Sequence, residues 1–181
     1  MMDLRLFSET KLRTKFDTIW YLANEFAKNN DAIFFSSVYL YYAPTDEKLH
    51  LGPNWDFDIG FGNINYNNCD KTSGFWIKTA VWISRMFQDP AFIGKVKSRW
   101  NEKKVDLQNA IAPSSGTIKS LANKISISAD YNFKQWEILG AYVNPNADGY
   151  AERTTYQSET DYMINWCNKR FTWLDAAING L

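Results

Sequence analysis

Histidine and cysteine are scarce in this chain of 181 residues, which holds one histidine, His50, and two cysteines, Cys69 and Cys167. A zinc site built from Cys and His is almost excluded, because the two thiols have no metal-ligand spacing. At most one disulfide can form. An excess of either charge is also missing, with 20 Lys and Arg against 20 Asp and Glu. No field of one sign steers the chain toward nucleic acid or an anionic membrane, so nucleic-acid binding is disfavoured. No segment approaches the roughly 18 uninterrupted apolar residues of a membrane span. The start, MMDLRLFSETKLR, has no apolar run of signal-peptide length, so neither a span nor a leader is expected in this chain. A longer precursor could carry a signal, and the compartment stays open. Finally, neither a GxGxxG loop nor a VAIK-like strand occurs, so the usual nucleotide-covering elements are not recognisable.

What is present is large and ring-rich. Hydrophobic residues make up 45 % and aromatics 17 %, including 8 Trp, which is enough for a folded core and inconsistent with a disordered chain. The length suits a single domain over 1–181. Phe16, Ile19, Trp20, Ala23, Phe26 and Ala27 recur at threes and fours, which predicts a helix starting near Asp17 and stopping at Asn29-Asn30-Asp31. SSVYLYYA from Ser36, the turn Pro44 to Glu47, and Lys48 to Leu51 predict a β-hairpin. After Gly74 the pattern is helical: Phe75 to Phe87, then a helix opened by Asp89-Pro90 with Phe92, Val96 and Trp100 inward. A third, capped by Ser114 or Ser115, would bury Ile118, Leu121, Ala122 and Ile125, and a last one runs from about Thr155 to Ile178. The expected class is therefore mainly α with a small β-hairpin, α+β. Trp20, Trp100, Trp166 and Trp173 sit on apolar helix faces and read as core rather than sugar-stacking rings.

The densest chemistry lies in Leu49 to Asn63, LHLGPNWDFDIGFGN, which sets Asp56 and Asp58 among aromatics and Gly52, Gly60 and Gly62. Residues i and i+2 of an extended segment point the same way, so both carboxylates could converge on one hard cation such as magnesium. Equally, they could cap backbone amides or pair with a basic residue. Asp31, in the loop before the hairpin, reads on its own as a solvated turn residue. His50 could reach a ligand, but a hairpin histidine is more often structural or solvated. The Asn-rich residues Asn63 to Gly74 read as a flexible, exposed loop carrying Cys69.

The order helix, Asp-containing loop, hairpin, DFD loop and helices is that of the C-terminal lobe of protein kinases. WYLANEFAKNNDA, SSVYLYY, KLHLGPNWDFDIGFGN, RMFQDPAFIGKVKSRW and MINWCNKRFTWLDAAI resemble the spore coat protein H (CotH) kinase-like family, atypical relatives of protein kinases, over nearly the whole chain from about Phe16. The resemblance implies a C-terminal-lobe fold. It places Asp31 as the catalytic-loop aspartate and Asp56, with Asp58 in the same WDFD pattern, as metal ligands. Ser36 or Ser37 would stand at the edge of the cation, Ser37 where many members carry asparagine. Trp55 and Phe57 would pack the loop in place. For the intact parent it implies ATP, magnesium or another divalent cation, and serine-rich protein substrates. Only 30 residues precede Asp31, so the N-terminal nucleotide-clamping lobe is expected to be absent, and Lys11 and Lys15 lie too near the first helix to replace its lysine. As an isolated chain it is expected to be an inefficient kinase. The alternative is a non-catalytic pseudokinase or cell-surface module binding protein or glycan.

Overall fold

The structure is a computed structural model and describes residues 18–45 and 48–181, with only the backbone of Lys48 and Leu49. Phe16 and Asp17 at the expected helix start, Lys11 and Lys15, and Asp46 and Glu47 of the turn lie outside those residues. The described chain is mainly helical with one small two-stranded antiparallel sheet, the α+β class expected. Six α-helices are present among the described residues: α1 (Thr18–Ala27), α2 (Val81–Met86), α3 (Pro90–Ala110), α4 (Thr117–Lys124), α5 (Ser126–Gln135) and α6 (Tyr156–Asn179). The hairpin, β1 (Leu40–Ala43) and β2 (Lys48–Leu51), pairs Leu40 with Leu51 and Tyr41 with His50. No described helix is long and apolar enough to cross a membrane.

The body is built where α1, α3 and α6 pack on one another. Their apolar stripes supply Trp20, Tyr21, Val96, Trp100, Cys167, Leu174 and Ile178 to one core, which Ile77 and Ile83 complete. Helix α3 starts as its sequence predicts: the Asp89 side chain accepts from Ala91 N at 2.9 Å and Pro90 holds the first helical position. Helix α6 opens on a capping box between Thr155 and Ser158. The two are joined at their polar margin by Trp100 Nε1 donating to Asp175 Oδ1 at 2.7 Å and by Lys104 Nζ at 3.0 Å from the same oxygen. Trp20, Trp100 and Trp166 are buried as expected, and Trp173 is partly buried against the Phe75 ring.

Three expectations are corrected. The segment Phe75 to Phe87 is not one helix but a 3-10 turn (Ile77–Thr79) followed by α2, with Ala80 extended between them. Its first amides are engaged elsewhere, Trp76 N donating to Glu25 Oε1 at 2.7 Å and Lys78 N to Glu25 Oε2 at 2.9 Å. Neither Ser114 nor Ser115 caps α4; Gly116 does, because a Cβ there would lie 2.5 Å from the Ala110 carbonyl oxygen. On α4 no residue is fully buried, and Leu121 and Ile125 are each 54 % exposed. The chain breaks at Ile125 into α5, a helix that the apolar spacing did not separate, and of the expected inner face only Ile118 and Ala122 are partly buried, Ile118 against the core, while Leu121 and Ile125 stay outside.

The third correction concerns the loop from Asn63 to Gly74, which is anchored rather than loose. Lys28 Nζ donates to the carbonyls of Asn68, Lys71 and Ser73 at 2.7, 3.0 and 2.8 Å. Arg170 NH1 donates to Thr72 O at 2.9 Å and Gly74 O at 2.8 Å, and Trp166 Nε1 to Asp70 O at 2.7 Å. Cys69 is buried beneath it.

Cys69 and Cys167 are both buried and free, and burial pushes each thiol up to about 12. At pH 8 that leaves a thiolate fraction of roughly 10⁻⁴, and the thiolate is the reactive form. The folded protein is therefore expected to show no fast thiol toward Ellman's reagent and two after guanidinium denaturation; rapid native labelling would contradict the burial.

Candidate functional site

The site forms where α1 ends and the chain turns back over it twice. Helix α1 stops at Ala27, and Lys28 (φ 46°) takes the left-handed conformation that redirects the backbone. Asn29 then caps a 3-10 turn (Asn30–Ile33), its side-chain oxygen accepting from Asp31 N at 3.3 Å. Phe34 (φ 70°) ends that turn, and Ser36 and Ser37 lead toward β1. After β2, the segment 52–62 returns across the end of α1, Phe61 N donating to Ala27 O at 2.7 Å. Gly60 keeps this crossing close, since a Cβ would sit 3.2 Å from Phe57 O and 3.3 Å from Ala27 O, tighter than ordinary contact.

Two asparagines of the first helix region lock the two loops together. Asn29 Nδ2 donates to Asp56 O at 3.0 Å and to Asn24 Oδ1 at 3.1 Å, while Asn24 Nδ2 reaches Asn54 Oδ1 at 3.1 Å. Trp55 Nε1 donates to Ser37 O at 2.9 Å. Asp31 and Asp56 are thus set by opposite ends of one short network, in which Asn24 and Asn29 are nearly inaccessible to solvent.

The side chains at the front of this network form a continuous chain of oxygens. Ser36 Oγ donates to Asp31 Oδ2 at 2.6 Å, Ser36 and Ser37 hydroxyl oxygens lie 3.5 Å apart, and Ser37 Oγ donates to Asp56 Oδ2 at 2.5 Å. The second oxygen of Asp31 accepts from Asn30 Nδ2 at 2.9 Å. Four of the five residues singled out from sequence, Asp31, Ser36, Ser37 and Asp56, are therefore brought together. Asp58 is exposed and is placed differently: its backbone carbonyl accepts from Asn63 Nδ2, and its carboxylate has no partner among the described residues. The premise that Asp56 and Asp58 share a face of an extended segment fails. Asp56 has φ 61° and Asp58 opens a turn, so the two-residue alternation is broken between them.

Among the described residues, five of the seven non-glycine residues with positive φ, namely Lys28, Phe34, Ser37, Asp56 and Phe61, fall in this region. Such backbone is uncommon for bulky side chains and tends to persist where the surrounding structure holds a functional loop in place.

Behind the front lies a charged pair that sequence reasoning missed. Glu25 and Arg170 are fully buried, with Arg170 NH2 2.9 Å from Glu25 Oε1 and 2.7 Å from Glu25 O. Lys28, also buried, has its pKa held below the usual lysine value by burial and by the nearby Arg170. The available signal was a charged residue inside each apolar stripe, Glu25 on α1 and Arg170 on α6.

In front, rings are exposed around the hairpin: Tyr39, Tyr41 and Trp55, with the Tyr39 and Trp55 rings 5.4 Å apart and His50 stacked on Tyr41 at 4.9 Å, and Tyr42 on the opposite face of β1.

Chemically, the front is made of hard oxygen donors, two carboxylates and two hydroxyls, and this donor set fits magnesium or calcium rather than a softer metal. Among the described residues no group of three or more His, Cys, Asp and Glu could hold a metal ion on its own. Magnesium needs no such group, since it is commonly bound by one or two carboxylates plus substrate phosphates.

A sequence model of the family described as "CotH kinase protein" matches residues 9–174. No curated protein and no solved structure gives a significant match.

Proposed function

The chain belongs to the CotH kinase family, and from that premise we propose that it carries the acceptor and metal side of an ATP-dependent phosphotransfer site. The helical body is then the counterpart of a kinase C-terminal lobe. Asp31 orients an acceptor hydroxyl and receives its proton at Oδ2, the oxygen that already accepts from a serine hydroxyl at 2.6 Å. Asp56 is the principal candidate ligand for a divalent cation, with Ser37 beside it and Asp58 as a second, outlying carboxylate. When bound, magnesium would neutralise charge on the nucleotide phosphates. The residues around the oxygens hold the geometry: Asn24 and Asn29 fix the two loops, and Trp55 pins Ser37.

One observation carries this reading above the rest. Ser36 is hydrogen-bonded to Asp31 and Ser37 to Asp56, and the two hydroxyl oxygens lie 3.5 Å apart, although Asp56 is separated from Asp31 by the whole hairpin. A solvated turn residue and an unrelated loop carboxylate would have no reason to be joined in this way. Positioning dominates phosphoryl transfer, and the nucleotide clamp would have to come from outside the described residues.

Calorimetric titration of the full-length protein tests it. ATP is expected to bind in the presence of magnesium, and Asp56→Ala is expected to abolish that binding. The second reading, a non-catalytic module for protein or glycan, is favoured by the exposed aromatic surface beside the site. Tight protein or sugar binding, with no heat from ATP at millimolar concentration, would establish that reading in place of the first.

A further inference from the structure

We propose that Ser36 is a phosphoryl acceptor within the chain itself, its hydroxyl standing at Asp31 where the hydroxyl of an outside substrate must stand. The inference rests on the phosphotransfer reading and adds to it a modification site and a form of self-regulation.

Four observations converge on Ser36. Its Oγ donates to Asp31 Oδ2 at 2.6 Å, the contact that a general base makes with the hydroxyl it activates. The carboxylate is fixed for that contact, because its other oxygen accepts from Asn30 Nδ2 and its backbone N–H is tied to Asn29 Oδ1. Ser36 is exposed, so a phosphate can approach Oγ from the solvent side. One hydroxyl further along, Ser37 links to Asp56, which puts the candidate phosphate-side carboxylate next to the acceptor.

The step balances without any further reactant than a nucleoside triphosphate. Ser36 Oγ bonds to the γ-phosphorus while the bond from that phosphorus to the β,γ-bridging oxygen breaks. The nucleoside diphosphate leaves with that electron pair, and the hydroxyl proton passes to Asp31 Oδ2 and then to water. The product is a phosphoserine between two carboxylates, Asp31 and Asp56, which like-charge repulsion displaces. Before the reaction Ser36 blocks Asp31 against other hydroxyls; afterwards Asp31 is cleared.

The test incubates full-length protein with magnesium and ATP, with and without a serine-containing peptide, and locates phosphate by peptide fragmentation. The expected result is one phosphoryl group on Ser36, formed at a rate independent of protein concentration. Ser36→Thr should carry the label at the same position, Ser36→Ala should lose it, and Asp31→Asn should slow it by about a hundredfold or more, with unchanged circular dichroism in each. Peptide phosphorylation with Ser36 unmodified would overturn this inference and leave the phosphotransfer reading intact. A labelling rate that rises with protein concentration would overturn it as a step within one molecule. Transfer to no acceptor at all would overturn both.

Discussion

Replacing Arg170 by Ala is expected to destabilise the fold by about 3–5 kcal/mol, the usual cost of removing one partner of a buried ion pair. The size follows from what the guanidinium holds. Its side chain is wholly buried, and it donates to Glu25 O, Glu25 Oε1, Thr72 O and Gly74 O between 2.7 and 2.9 Å. Truncation would strand a carboxylate with no solvent to take its charge, and two loop carbonyls would lose their donor. Two backbone N–H groups, from Trp76 and Lys78, still face Glu25, but they carry only partial charge. Urea denaturation checks the figure, read as a fall in midpoint with little change in slope. A loss below about 1 kcal/mol would mean that water reaches Glu25. Arg170→Lys is the informative companion, since an ammonium lacks the planar fork that reaches the helix and the loop together.

The second large effect is expected at Trp166, where alanine should cost about 3–5 kcal/mol. The indole is 4 % exposed, meets the Phe61 ring edge-on at 6.5 Å, and donates through Nε1 to Asp70 O. Gly62 lies flat against it: a Cβ there would be 2.4 Å from Trp166 Cδ1, and its φ of +81° already suits glycine. The ring therefore fills the space between α6, the 52–62 segment that carries Asp56 and the anchored 63–74 loop. Trp166→Phe separates the two contributions, keeping most of the packing while losing one hydrogen bond, for about 1 kcal/mol from that bond. Thermal or chemical denaturation of both variants would show the difference, and a change below about 0.5 kcal/mol in Trp166→Ala would place the ring at the surface.

How much of this was legible depends on where the determining contacts lie along the chain. Helices α3 and α6 could be read closely because their starts are set locally, by Asp89-Pro90 and by Thr155 with Ser158. Asp31 and Asp56 were found through composition and motif order, and the hairpin between them through alternation and its turn. The break at Ile125 was not legible, because Ile118, Leu121, Ala122 and Ile125 keep helical spacing whether or not anything covers them. The tail of Phe75 to Phe87 was helical, but its front is shaped by Glu25, some fifty residues earlier. Asn63 to Gly74 looked loose for the same reason. Its polar composition says nothing of Lys28 and Arg170, cations 40 and 96 residues away from the carbonyls they hold. Within the site, alternation failed at Asp56, where a left-handed residue that no local rule demanded turns Asp58 out of the row.

The three carbonyls gathered on Lys28 tie the loop mechanically to the residue proposed as base. An ammonium has three N–H bonds, and all three are engaged by carbonyls spread over residues 68–73. None can be released without leaving a buried charge short of an acceptor, so this span lifts as a unit or not at all. Its fulcrum is the residue where α1 ends, and the backbone runs from there to Asp31 through only Asn29 and Asn30. A partner that pressed on the outer side of that loop would thus act on the carboxylate over a distance of three residues, although it touched the chain some forty residues further on.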